Sequence, residues 1–163
     1  MRRDLIIDGM VYGSATIEGD DATDSIISIH RLLARNDINC ILLDGLVISM
    51  YNIIDGERVA AETHLPVIAI TFEDSKGLEE SIKNYFGDWQ AKLVQYQKLG
   101  TREKVTLRTG KALFIRRWGV TERRAVAILD SFTLQGAMPE PIRVAKLAAR
   151  SHANALNYEL KNK

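Results

Sequence analysis

An α/β fold follows from three features of the sequence. Ile38–Leu43 and Leu65–Phe72 are apolar runs of strand length, the form taken by strands covered on both faces. A stretch of helical character separates them, and strand, helix, strand in that order places the two strands parallel in one sheet through a right-handed crossover. Both runs stop at carboxylates, Asp44-Gly45 and Glu73-Asp74. Ligands gather at the carboxyl ends of strands in open α/β sheets, so Asp44 and Glu73 are expected on one edge of the fold.

The remaining elements read in chain order. Residues 5–18 are rich in β-branched and aromatic side chains and contain Asp8-Gly9, which predicts a long strand or a hairpin. Ala22, Ile26, Ile29 and Leu33 recur at spacings of four, three and four, so a helix is expected to about Arg35, capped by Asp20 or Asp21. Asn52–Thr63 is expected to be helical, and Pro66 opens the second apolar strand. Two short helices are predicted over Lys76–Phe86 and Trp89–Leu99, interrupted at Gly87-Asp88. Glu103–Leu107 and Ala112–Arg116 alternate across Arg108-Thr109-Gly110-Lys111, a hairpin signal. Thr121 is placed to cap a helix carrying Ala125, Ile128 and Leu129, and a last helix starts near Pro139 or Pro141. One domain over residues 1–157 and a frayed tail over 158–163 are expected.

Composition narrows the function. The chain has 163 residues and one cysteine, Cys40, which excludes an intrachain disulfide framework and a cysteine zinc site and suits a reducing, cytoplasmic setting. No apolar run approaches a membrane span. The net charge of +1 conceals an asymmetry: residues 1–100 hold 9 Lys/Arg and 16 Asp/Glu (−7), while residues 101–163 hold 13 and 5 (+8). An acidic centre beside a cationic surface suits a polyanion handled through a divalent metal, although two such halves can also simply neutralise each other. Phosphate-binding glycine loops, dinucleotide fingerprints, serine-hydrolase elbows and zinc-hydrolase motifs are all missing, and the three histidines show no ligand spacing.

Several residues could carry chemistry. Asp44 follows six strand residues and precedes a glycine that lets a ligand approach. Asp20 and Asp21, if they reach the same edge, would add carboxylates for Mg²⁺ or Mn²⁺; otherwise they are helix caps. Lys104, Arg108, Lys111, Arg116, Arg117, Arg123 and Arg124 are interleaved with Phe114 and Trp118, so cations could meet phosphates while a ring stacks on a base. The plainer alternative is a solvated hairpin with Trp118 in the core. Arg143 is either a phosphate contact or the partner of Glu140 across one helical turn.

Gly19-Asp20-Asp21-Ala22-Thr23, Leu43-Asp44-Gly45, Tyr51-Asn52-Ile53-Ile54-Asp55 and above all Leu134-Gln135-Gly136-Ala137-Met138-Pro139-Glu140-Pro141-Ile142-Arg143-Val144-Ala145 resemble the archaeal domain-of-unknown-function ninety-nine family, which is related to endonuclease V. The resemblance runs from about residue 1 to 150. It singles out Tyr51, Asn52, Asp55, Gln135, Gly136, Pro139, Glu140, Pro141 and Arg143 as family-motif positions. It implies a ribonuclease-H-like mixed sheet flanked by helices, and a Mg²⁺-dependent nuclease cutting near deaminated bases such as hypoxanthine. In that scheme Asp44 and Asp21, with Asp20 less securely, are the catalytic and metal-binding carboxylates. Lys111, Arg116, Arg117, Trp118 and Arg143 are the candidate contacts to DNA or RNA.

The same resemblance sets expectations about what this chain lacks. Family members carry a first strand with an acidic motif and most of a second before the segment that begins at Met1. Catalysis is therefore expected to be impaired, and the exposed sheet edge to invite a homodimer. A non-catalytic nucleic-acid- or partner-binding module of the same fold is the alternative, and action on a small nucleotide a third.

Overall fold

The computed structural model describes residues 1–161, without the side chains of 157 and 159–161. Along the chain lie α1 (Ala22–Leu33), β1 (Ile41–Asp44), β2 (Val47–Ile48), β3 (Asn52–Ile53), α2 (Gly56–Thr63), β4 (Val67–Thr71), α3 (Glu79–Tyr85), α4 (Trp89–Lys98), β5 (Glu103–Thr106), β6 (Ala112–Trp118), α5 (Glu122–Phe132) and α6 (Glu140–Lys161). The main sheet has the order β1-β4-β6-β5. β1 and β4 are parallel, with Asp44 opposite Ile70, and the other two pairings are antiparallel. The predicted βαβ unit is therefore present, and so is the hairpin across residues 107–111.

Side chains of successive strand residues point to opposite faces, and β4 shows the consequence. Val67 and Ala69 join Ala22 and Ile27 of α1 and Val59 of α2 in one buried cluster. Ile68 and Ile70 join Ala125 and Leu129 of α5 and Ile142 of α6 in another. The sheet is thus a middle layer, and all four of those β4 residues are almost wholly buried. Trp118 packs against the first cluster, as its core alternative required. Thr121 caps α5, its hydroxyl accepting from Arg124 N at 3.4 Å.

Two expectations are corrected. Residues 5–18 form no strand or hairpin. Their composition favours extended backbone, but a strand also needs a hydrogen-bonded neighbour, and no described strand pairs with them. Arg35 holds this segment by Asp8, at 2.8 Å from its carboxylate and 2.9 Å from its carbonyl oxygen, and Tyr12 stacks on His152 of α6 at 4.2 Å. The helix expected from Asn52 begins at Gly56, because Asp55 caps it by accepting from Arg58 N at 2.9 Å while Asn52 and Ile53 pair with Val47 and Ile48. At the chain's end α6 continues to Lys161, so residues 158–161 are helical; residues 162–163 of the expected tail lie outside the described residues.

Candidate functional site

Asp44 is the last residue of β1, on the carboxyl edge where β4 also ends. Gly45 then takes φ +81°, a left-handed conformation that glycine adopts without penalty, and its N–H donates to Ile70 O at 2.9 Å. A side chain at Gly45 would meet nothing within 4 Å, so the space beside Asp44 is open. Lys146 of α6 meets the carboxylate, its Nζ 2.8 Å from Asp44 Oδ2. Both side chains keep about a third of their surface, 33% for Lys146 and 37% for Asp44.

The geometry of α6 brings Lys146 there. Pro141 stands in its first turn, Pro139 is buried just before it and accepts from Arg143 N at 3.1 Å, and Ile142 is buried against the sheet. Arg143, Lys146 and Arg150 follow at spacings of three and four, which places them on one stripe of the helix. Arg143 Nε lies 3.2 Å from Glu140 Oε1, the pairing across one turn, but that buried nitrogen is out of line for a hydrogen bond. Sequence reasoning passed over Lys146. Its signal was a lysine three residues beyond Arg143, directly after the most specific phrase of the chain.

Asp20 and Asp21 are engaged elsewhere. Asp20 Oδ1 is 2.5 Å from Nζ of Lys92, a lysine of α4 left 8% exposed, which also donates to Gly19 O at 3.2 Å. Asp21 occupies the N-cap position of α1 without capping it. Its carboxylate instead accepts from Thr16 Oγ1 at 2.7 Å, from Asn52 Nδ2 at 2.6 Å and from Thr16 N at 3.0 Å. These bonds, the Thr16 hydroxyl first, hold its pKa at about 2. The fully buried Asn52 serves the helix in its place: Oδ1 accepts from Ala22 N at 3.0 Å while Nδ2 also reaches Thr16 O at 3.0 Å.

Ser49, Met50 and Tyr51 are all left-handed, three consecutive non-glycine residues at positive φ. Their turn is tied to Glu18, itself at φ 61°, whose N–H donates to Ser49 O at 2.8 Å. The Tyr85 hydroxyl donates to Glu18 Oε1, and Tyr85, Phe86 and Tyr51 form a ring cluster. That bond to a carboxylate raises the Tyr85 pKa.

The cations of the hairpin divide. Arg117 binds Glu103 through Nε at 3.0 Å and Nη2 at 3.2 Å, and donates to Val120 O at 2.8 Å. Arg116 donates to Gly100 O at 2.9 Å, and burial lowers its pKa. Arg108 donates to Thr133 O at 3.1 Å. Lys111 at the turn and Arg123 and Arg124 on α5 remain exposed.

Among the described residues no three carboxylate, imidazole or thiol groups are gathered to hold a metal. Asp44 alone still suits a hard cation: it offers a partly exposed carboxylate beside open space, and an ammonium already stands at 2.8 Å. Mg²⁺ commonly uses one or two carboxylates, with waters and phosphates completing its shell.

Comparison with known proteins adds an independent line. Residues 1–153 match the family Endonuclease dU. A UPF0215 protein of Pyrobaculum calidifontis is 36% identical over 149 residues, covering 91% of this chain and 82% of its own. One from Methanothermobacter thermautotrophicus is 30% identical over 146 residues, covering 88% and 71%. Among solved structures, a protein of unknown function from Archaeoglobus fulgidus superposes with a TM-score of 0.70 at 29% identity, over 83% of this chain and 76% of that one. Ciona intestinalis endonuclease V, in complex with DNA containing an inosine followed by a ribo-adenosine, gives 0.52 at 16% identity, over 90% and 71%.

Proposed function

Since the chain belongs to the endonuclease dU family, we propose that it is a divalent-metal-dependent phosphodiesterase acting on DNA or RNA near deaminated bases. Its fold is ribonuclease-H-like, the fold of the endonuclease V structures it resembles. The family's name points to deoxyuridine, and the inosine in the DNA bound by the Ciona enzyme belongs to the same class of deaminated nucleosides.

The observation that carries the reading is Asp44. It ends a strand of the parallel pair, is partly exposed, precedes a glycine with open space beside it and already attracts a cation. In this reading Asp44 would hold Mg²⁺ or Mn²⁺, and the chemistry such an ion would supply when bound is activation of water and neutralisation of phosphate charge. Asp21 and Asn52 hold the loop before α1 in shape. Lys111, Arg123, Arg124 and the α6 stripe supply cations to the nucleic-acid backbone. Arg116 and Arg117 shape the sheet that presents them.

The test is cleavage of deoxyuridine- and hypoxanthine-containing strands with Mg²⁺ or Mn²⁺. Asp44→Asn should lower turnover by about two orders of magnitude or more, with the circular dichroism spectrum unchanged. Undiminished cleavage by that variant would remove Asp44 from the chemistry. The engagement of Asp20 and Asp21 by Lys92, Thr16 and Asn52 favours a second reading, a non-catalytic nucleic-acid-binding module. It predicts salt-sensitive binding without cleavage, unchanged by Asp44→Asn.

A further inference from the structure

We propose that Lys146 is a tethered counter-ion of Asp44, giving way when a divalent cation binds and then taking up a phosphate of the nucleic acid. The idea rests on the metal-dependent reading above, and it assigns a positioning role to a residue of α6.

Lys146 Nζ stands 2.8 Å from Asp44 Oδ2, and among the described residues no other acceptor holds it. Its neighbour Arg143 is paired within the helix by Glu140, and Lys92, the other lysine at a candidate aspartate, is itself buried and donates to both Asp20 and Gly19 O. Lys146 therefore differs from both: it is one-third exposed, singly bound and carried on a flexible four-carbon stem with three donors. An ion pair this exposed is worth little, so separating it costs little.

Two cations cannot share one face of a carboxylate without repulsion, so Lys146 must leave Oδ2 when a metal arrives there. Its anchor does not move with it. Ile142 is buried against the sheet one turn earlier, which keeps Lys146 within a side chain's reach of Asp44. On the stripe shared with the exposed Arg150, the released ammonium would add a second cation for a polyanion that meets this side of α6. With Asp44 bare, the same contact neutralises the carboxylate and withholds Lys146 from nucleic acid.

Two measurements on the whole chain test this, neither reading cleavage. In Mn²⁺ titrations, Lys146→Met should bind the ion about two- to fivefold more tightly than the parent protein, the weight of an exposed ion pair. In EDTA, single-stranded oligonucleotide affinity is followed against salt. Asp44→Asn, which frees Lys146 without metal, should steepen the slope of log K against log salt by about 0.7, one further phosphate contact. Lys146→Met alone should leave the slope unchanged, and the double variant should lose the gain. Equal or weaker Mn²⁺ binding by Lys146→Met overturns the proposal, as does a steeper slope that survives in the double variant. The metal reading fails separately: there Asp44→Asn binds Mn²⁺ as well as the parent, or the parent binds none, and the proposal falls with it.

Discussion

Asp21 shows how one carboxylate can be absorbed by structure. The sequence left it open between helix cap and metal ligand; its side chain caps no helix, and three neighbouring donors fix it to Thr16 and Asn52. Sequence spacing could not show this, because Asn52 is 31 residues away and reaches Asp21 only through the β2–β3 turn. The bonds lower the folded pKa to about 2 from an ordinary 3.8, so Asp21 stabilises the fold above the ordinary value and that contribution is lost as pH falls through about 2. The urea midpoint of Asp21→Asn should therefore be lower than the parent's at pH 7, and the gap should close between about pH 4 and pH 2. A gap that stays constant over that range would mean the carboxylate's charge is not what the loop uses.

At the level of elements, α2 and α6 reveal what the quoted family phrases are for. Asp55 caps α2, Asn52 caps α1 from a distance, and Pro139 and Pro141 start α6 so that Ile142 enters the core and Lys146 meets Asp44. The first turn of α2 is also a close approach. A Cβ added at Gly56 would lie inside van der Waals contact with the six-membered ring of Trp118 on β6. That ring is packed on the core and cannot swing aside freely, so Gly56→Ala should cost about 1–3 kcal/mol in chemical denaturation. Gly45→Ala meets no atom, and its cost should instead be that of a left-handed residue at φ +81°. A Gly56→Ala protein as stable as the parent would show that β6 has room to shift.

For the molecule as a whole, the charge asymmetry resolves into local pairings and a residue of unpaired cations. Much of the excess is spent inside the fold: Arg117 on Glu103, Arg102 on the carbonyl oxygens of Glu73 and Ser75, and Arg108 on Thr133. Among the described residues of this half, the exposed cations left for a polyanion include Lys104 on β5, Lys111 at the hairpin turn, Arg123 and Arg124 on α5, and Arg150 on α6. Oligonucleotide binding should accordingly weaken with salt. Replacing Arg123 and Arg124 together by Gln should reduce the slope by about 1.4 for a single strand, whereas Arg117→Gln should act on stability with the slope unchanged. An unchanged slope in the double variant would place the nucleic acid on another face. No described helix is long and apolar enough to cross a membrane.

Sequence alone determined the parallel β1–β4 pair, the β5–β6 hairpin, the helices that cover them and the position of Asp44 at a strand's carboxyl end. Each of these follows from local periodicity or from chain handedness, so a single stretch of sequence carries the information. Only tertiary structure decided that residues 5–18 would find no strand partner, that Asp20 and Asp21 would be held by Lys92 and by Thr16 and Asn52, and that Lys146 would stand on Asp44. Those outcomes depend on which distant side chain arrives beside a carboxylate. Hydrogen bonds and ion pairs act over a few ångströms, and residues 31 to 102 positions apart come within that range only after the layers have packed.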